Sequence, residues 1–147
     1  MKIAIGCDHG GFVLKESVAN CLKKRGIEIV DCGTNSTDSV DYPVFGEKVA
    51  RLVAKGECDK GIVMCGTGIG ISIAANKVKG IRCALCHDEY TAKMTAMHNN
   101  SNILAMGGRV VTPEKAVQIL ETWLDTPFEG GRHINRINMF TEIENKE

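Results

Sequence analysis

The stretch VMCGTGIGISIAANK, residues 63–77, decides the fold. An apolar run ends in Cys65, passes through glycines at 66, 68 and 70, and opens into a helical pattern. Strand, glycine turn and helix make one βα unit, and the chain on either side repeats the alternation. KIAIGC (2–7), IEIVDCG (27–33), DKGIVMC (59–65), GIRCALC (80–86) and NILAMGG (102–108) read as strands. Residues 11–25, 43–55, 69–78, 88–98 and 113–125 read as helices, two of them opened by Pro43 and Pro113. A last helix runs from about Arg132 to Asn145. The strands are apolar without strict alternation, as strands buried on both faces are. The pattern predicts an α/β three-layer sandwich: a five-stranded parallel sheet, helices on both faces and a C-terminal helix. No linker or low-complexity segment interrupts residues 1–147, so one domain is expected.

Bulk composition narrows the function classes. Hydrophobic residues make up 44%, enough for a core, and 18 basic residues balance 18 acidic ones. That balance predicts no nucleic-acid partner and no membrane partner. No apolar run approaches the ~20 residues of a membrane span. MKIAIGCDHGG reads as a first strand, not a leader, and a cytoplasmic protein is expected. Seven cysteines then read as free thiols, each by default a small buried hydrophobe.

Parallel sheets bind ligands at the carboxyl ends of their strands. The loops to weigh are 7–11, 33–42, 65–70, 86–88 and 107–112. CGTGIG has the G-x-G-x-G spacing, neither the dinucleotide fingerprint nor a Walker loop, and suits either an anion or a plain tight turn. Cys65 stands where a helix dipole favours thiolate, which can act as nucleophile or general base. CDHGG puts Asp8 and His9 on the first loop, for sugar hydroxyls or phosphate, although Asp8 also reads as a helix cap. GGRHINR sets Arg132 and Arg136 four apart on one helical face, suited to a phosphate or simply to solvent, and Arg109 follows the fifth strand. HNNS (98–101) falls at a helix C-terminus, on the opposite edge of the sheet from the other loops. CALCH (83–87) matches the c-type haem motif. In a buried strand, however, positions three apart face opposite ways, and no second C-x-x-C completes a zinc set.

In order along the chain, CDHGG, DYP (41–43), CGTGIGISIAANK, HNNSN, GGR and GGRHINR resemble the type B ribose-5-phosphate isomerase family, which includes galactose-6-phosphate isomerase subunits. The resemblance runs from about residue 2 to 140. It implies a Rossmann-like fold and aldose–ketose isomerisation of ribose 5-phosphate and ribulose 5-phosphate through a cis-enediolate, without metal or organic cofactor. It also implies a homodimer or homotetramer with active sites between subunits, so that His98 reaches the cysteine loop of a partner chain. By that resemblance His98 opens the sugar ring, Cys65 removes the C2 proton and Thr67 shuttles a proton between O1 and O2. Asp8 and Asn99 hold hydroxyls, and Tyr42 closes the pocket. Backbone N–H groups of Gly66, Thr67, Gly68, Ile69 and Gly70 hold the enediolate, while His9, Arg109, Arg132 and Arg136 take the phosphate. Some members carry a glutamate base where this chain has Ile71. Two other readings stand beside this one: an isomerase for a six-carbon sugar such as allose 6-phosphate, and a non-catalytic phosphate-binding module.

Overall fold

A computed structural model describes residues 1–146. The elements follow in the order β1 (Lys2–Cys7), α1 (Phe12–Lys24), β2 (Glu28–Asp31), α2 (Tyr42–Ala54), β3 (Lys60–Cys65), α3 (Ile69–Asn76), β4 (Cys83–Leu85), α4 (Glu89–Met94), β5 (Ile103–Gly107), α5 (Pro113–Asp125) and α6 (Arg132–Glu144). The strands form one parallel sheet in the order β2-β1-β3-β5-β4. The chain leaves β1 toward β2 on one side, then crosses to β3 on the other. The switch point therefore lies between β1 and β3, where Cys7 is in register with Met64.

Alternation along each strand divides the core. Ile62 and Met64 face one side with Leu14, Val18, Leu22, Ile119, Leu120 and Trp123 of α1 and α5. Val63 and Cys65 face the other, with Val49, Ala50, Ile71 and Ala75 of α2 and α3. Burying each large aliphatic side chain is worth about 1.5–3 kcal/mol, so both faces bind their helices firmly. Cys83 and Cys86 fall in opposite cores, which rules out a shared haem or metal for CALCH. The three-layer sandwich matches the sequence expectation. β4 is shorter than the run 80–86 suggested. The helix expected over 88–98 stops as α-helix at Met94 and widens into a π-helical turn, Thr95–Asn99, closed by Asn100 at φ 44°. An extra residue in the turn shifts the side chains that follow, His98 among them.

α6 stands apart. It packs chiefly against the π-turn, and Glu144 accepts the Gly80 N–H at 3.0 Å. Ile134, Met139, Phe140 and Ile143 remain exposed on it. Among the described residues no helix is long and apolar enough to cross a membrane.

Trp123, 1% exposed, donates its indole N–H to Ser101 Oγ at 2.8 Å and so ties α5 to the segment before β5. Ser101→Ala leaves that buried donor unpaired. The expected loss is about 1–3 kcal/mol, read as a lower urea midpoint with an unchanged m-value.

Candidate active site

Three loops meet at the carboxyl ends of β1, β3 and β5. The Asp8 N–H donates to Met64 O at 3.2 Å, Gly108 N–H to Cys65 O at 2.8 Å and Arg109 N–H to Gly66 O at 2.9 Å. The three loops are thereby held together at one edge of the sheet. Asp8 is buried, and its Oδ1 accepts the N–H groups of Gly10 and Gly11 at 2.9 and 3.0 Å. The carboxylate thus caps its own loop, and Oδ2 remains for a ligand. His9 Nδ1 accepts the Val40 N–H at 3.2 Å. The neutral ring must then carry its proton on Nε2, which leaves a donor free. The loop that supplies Val40 is pinned by Lys15, a buried lysine whose Nζ meets Asp31 at 2.6 Å, Asn35 Oδ1 at 2.6 Å and Thr34 O at 3.0 Å.

Cys65 ends β3, 4% exposed, and its sulfur accepts the Gly68 N–H at 3.1 Å. Gly68 reaches that position at φ 79°, a left-handed conformation that glycine adopts without strain. Thr67 Oγ1 accepts the Ile69 N–H at 3.2 Å. In the first turn of α3 the amides of Gly70 and Ile71 have no intrahelical acceptor, so donors cluster beside the thiol. Tyr42 lies against Gly70, and the Arg109 guanidinium lies over Gly66. Ile71 is fully buried in the α2/α3 core. Asp8, His9, Tyr42, Cys65, Thr67 and Arg109 are thus assembled at one edge.

His98, Asn99, Arg132 and Arg136 are not part of that assembly. His98 and Asn99 lie on the π-turn before β5, whereas Cys65 is in register with Gly107 at the far end of β5. A five-residue strand separates the two groups by about 17 Å. Arg132 and Arg136 project from the start of α6 on the same side as the π-turn, both exposed. Two residues that the sequence reading did not single out join this second group. The His133 ring stacks on His98 with centroids 4.3 Å apart and planes 17° apart, and Glu129 places one carboxylate oxygen 3.8 Å from each Nε2. The only sequence signal for His133 was its place inside GGRHINR.

The ligand atoms of His98, Glu129 and His133 lie within 4.8 Å of one another. An imidazole binds metal in its own ring plane at about 2.0–2.1 Å. Two nearly parallel, stacked planes share no point that close, so this arrangement is built for stacking rather than chelation. Elsewhere, burial pushes thiols up: Cys7 and Cys86 to about 11, with Cys83, Cys21, Cys32 and Cys58 also raised.

Comparison with known proteins is consistent along the whole chain. The pattern describing the ribose/galactose isomerase family matches residues 3–140. Ribose-5-phosphate isomerase B of Escherichia coli K12 is 50% identical over 145 residues, 99% of this chain and 97% of that protein. The structure of Clostridium thermocellum ribose-5-phosphate isomerase B superposes with TM-score 0.97 at 58% identity, covering 99% of both chains. The Mycoplasma genitalium ribose-5-phosphate isomerase B, solved with bound ribulose-5-phosphate, gives 0.95 at 40% identity over 99% of this chain and 97% of that one.

Because Cys65 is the thiol that has a backbone N–H against its sulfur, brief treatment with iodoacetamide near pH 8 is expected to label it first. Peptide mass spectrometry reads the order, and earlier labelling of any other cysteine contradicts it.

Proposed function

The chain belongs to the ribose/galactose isomerase family, and from that premise we propose how its residues divide the reaction. The enzyme interconverts ribose 5-phosphate and ribulose 5-phosphate, the aldose–ketose step of the pentose phosphate pathway. One observation carries the assignment of the base: the Cys65 sulfur sits against the Gly68 N–H at the head of α3.

Ribose 5-phosphate is mostly cyclic. In the proposed sequence His98 gives a proton to the ring oxygen while the O1 hydroxyl proton passes to solvent, which later reprotonates His98; the ring thereby opens to the aldehyde. The Cys65 thiolate then takes the C2 proton. The electron pair moves to O1, giving a cis-enediolate held by loop amides from Gly66 to Gly70. Thr67 passes a proton between O1 and O2, and Cys65 returns a proton to C1. Every proton removed is restored, so no redox partner is needed. Asp8 Oδ2 and Asn99 hold hydroxyls, Tyr42 closes the cleft, and His9 Nε2 with Arg109, Arg132 and Arg136 holds the phosphate, which keeps C1 and C2 in register with the thiol.

His98, Asn99, Arg132 and Arg136 lie a strand's length from Cys65, so we propose that a second copy supplies them. Each site would combine the cysteine edge of one chain with the π-turn and α6 of the other. The exposed Met139, Phe140 and Ile143 of α6, beside a groove of about 670 Å³ along Leu85, Met94 and Asn99, fit such an exchange. One domain over residues 1–147 and a cytoplasmic location complete the reading.

Cys65→Ala is expected to lower turnover by about 10²–10⁴-fold while ribose 5-phosphate still binds by calorimetry; near-normal turnover removes Cys65 as the base. A mixture of Cys65→Ala and His98→Asn enzymes, each inactive alone, tests the shared site. Random reassociation of dimers should restore about a quarter of wild-type activity, since half the dimers are mixed and each has one intact site. No recovery on mixing places both residues in a site within one chain.

A further inference from the structure

We propose that His133 and Glu129 are the positioning residues of the ring-opening acid, His133 fixing the plane of the His98 imidazole and Glu129 holding its Nε2 edge. This rests on the reading of His98 as that acid. The π-turn leaves His98 about one-third exposed, with its ring at the rim of the fold. A ring placed so would sample several rotamers unless something holds it. His133 supplies a flat face stacked on it, the ring centroids 4.3 Å apart and the planes 17° from parallel.

The local backbone is built to bring these groups together. The Glu129 N–H donates to Met97 O at 3.0 Å, which ties Glu129 to the residue before His98. Gly130 and Gly131 both have positive φ, 72° and 59°, and turn the chain so that His133 enters α6 facing the π-turn. The Glu129 carboxylate then faces both imidazoles, at 3.8 Å from each. A modest rotation of this exposed side chain brings it within hydrogen-bond range of His98, as catalytic contacts tighten when substrate arrives.

His133 has no adequate structural excuse. It is 4% exposed, and its Nε2 makes no hydrogen bond. A buried polar atom without a partner costs stability that an apolar ring would not. Burial, with His98 adjacent, pushes His133 toward its neutral form. A neutral ring beneath His98 lets that residue carry the proton it delivers without a second positive charge against it.

The test separates ring opening from proton abstraction. Ribulose 5-phosphate has no furanose form, because its O5 carries the phosphate. Exchange of its C1 hydrogen with solvent deuterium therefore needs Cys65 but no ring opening. For His133→Ala we expect kcat on ribose 5-phosphate to fall about 10–100-fold, with KM and the C1 exchange rate within about twofold of wild type. His133→Phe, which restores a flat face, should recover most of the loss. Glu129→Gln alters an exposed side chain and keeps the fold; it should lower the same kcat about 3–10-fold and again spare exchange. Equal losses in exchange and turnover, or no rescue by phenylalanine, overturn the proposal. His98→Asn is run beside them. If it leaves ribose 5-phosphate turnover intact, or lowers turnover and exchange equally, the acid assignment itself fails. If it is selective while the His133 and Glu129 variants are not, only the positioning role fails.

Discussion

A Cβ on Gly11 would overlap the carbonyl of Met64, and one on Gly108 would overlap the carbonyl of Gly10. This close backbone approach at the carboxyl edge of the sheet is the constraint on which the site depends. It lets the amides of Asp8, Gly108 and Arg109 bond directly to carbonyls of Met64, Cys65 and Gly66. Three loops distant in sequence become one rigid rim. The donors around Cys65 are therefore arranged before any ligand arrives, and in the proposed reaction they would act without reorganising.

The same rim suits a cysteine to the proposed role of base. Position 65 shares the strand face of Val63 and touches the α2/α3 core, so its neutral form must tolerate an apolar setting. A thiol does so, whereas a carboxylate there would carry a heavier desolvation cost. What distinguishes Cys65 from the other six thiols is the Gly68 amide aimed at its sulfur. Cys7, nearby at the end of β1, is the contrast: burial pushes it to about 11, and its sulfur faces the Thr34 carbonyl at 3.8 Å. A carbonyl can only accept, so it offers a thiolate nothing.

Much of this was legible in the sequence. The five strands and their loops followed from apolar runs set between helical patterns, because a sheet buried on both faces leaves that mark on composition. The cysteine loop was legible for the same reason: its glycines lie at a strand-to-helix junction. Asp8 could be read two ways; it is not the cap of α1, whose N-cap is Gly11, and its Oδ1 braces the loop amides of Gly10 and Gly11 instead. Less could be read where structure departs from regular periodicity. The π-turn at Thr95–Asn99 has no distinct apolar period, so the helix was expected to run straight to His98. Lys15 falls on a helical face that pattern alone does not distinguish from solvent. His133 and Glu129 meet His98 through a turn set by Gly130 and Gly131, a geometry that spacing does not encode.

The separation of Cys65 from Arg132 and Arg136 gives α6 its logic in the proposed dimer. Arg132, Arg136, Phe140 and Ile143 recur at intervals of four, four and three residues, which places them on one helical face. That face carries guanidiniums at one end and exposed apolar side chains at the other. A rigid helix fixes the spacing between them at ~1.5 Å per residue. In the proposed dimer, burying Phe140 and Ile143 against a second chain would set the arginines at a defined distance from that contact. Association and phosphate placement then become one event. The apolar end supplies the free energy, and the charged end supplies the orientation. An exposed arginine pair alone would attract a phosphate only weakly and without direction. Held by the docked helix, with Arg109 contributed from the other chain, it would form three sides of a cage around the phosphate. The substrate would then be the piece that bridges the two subunits.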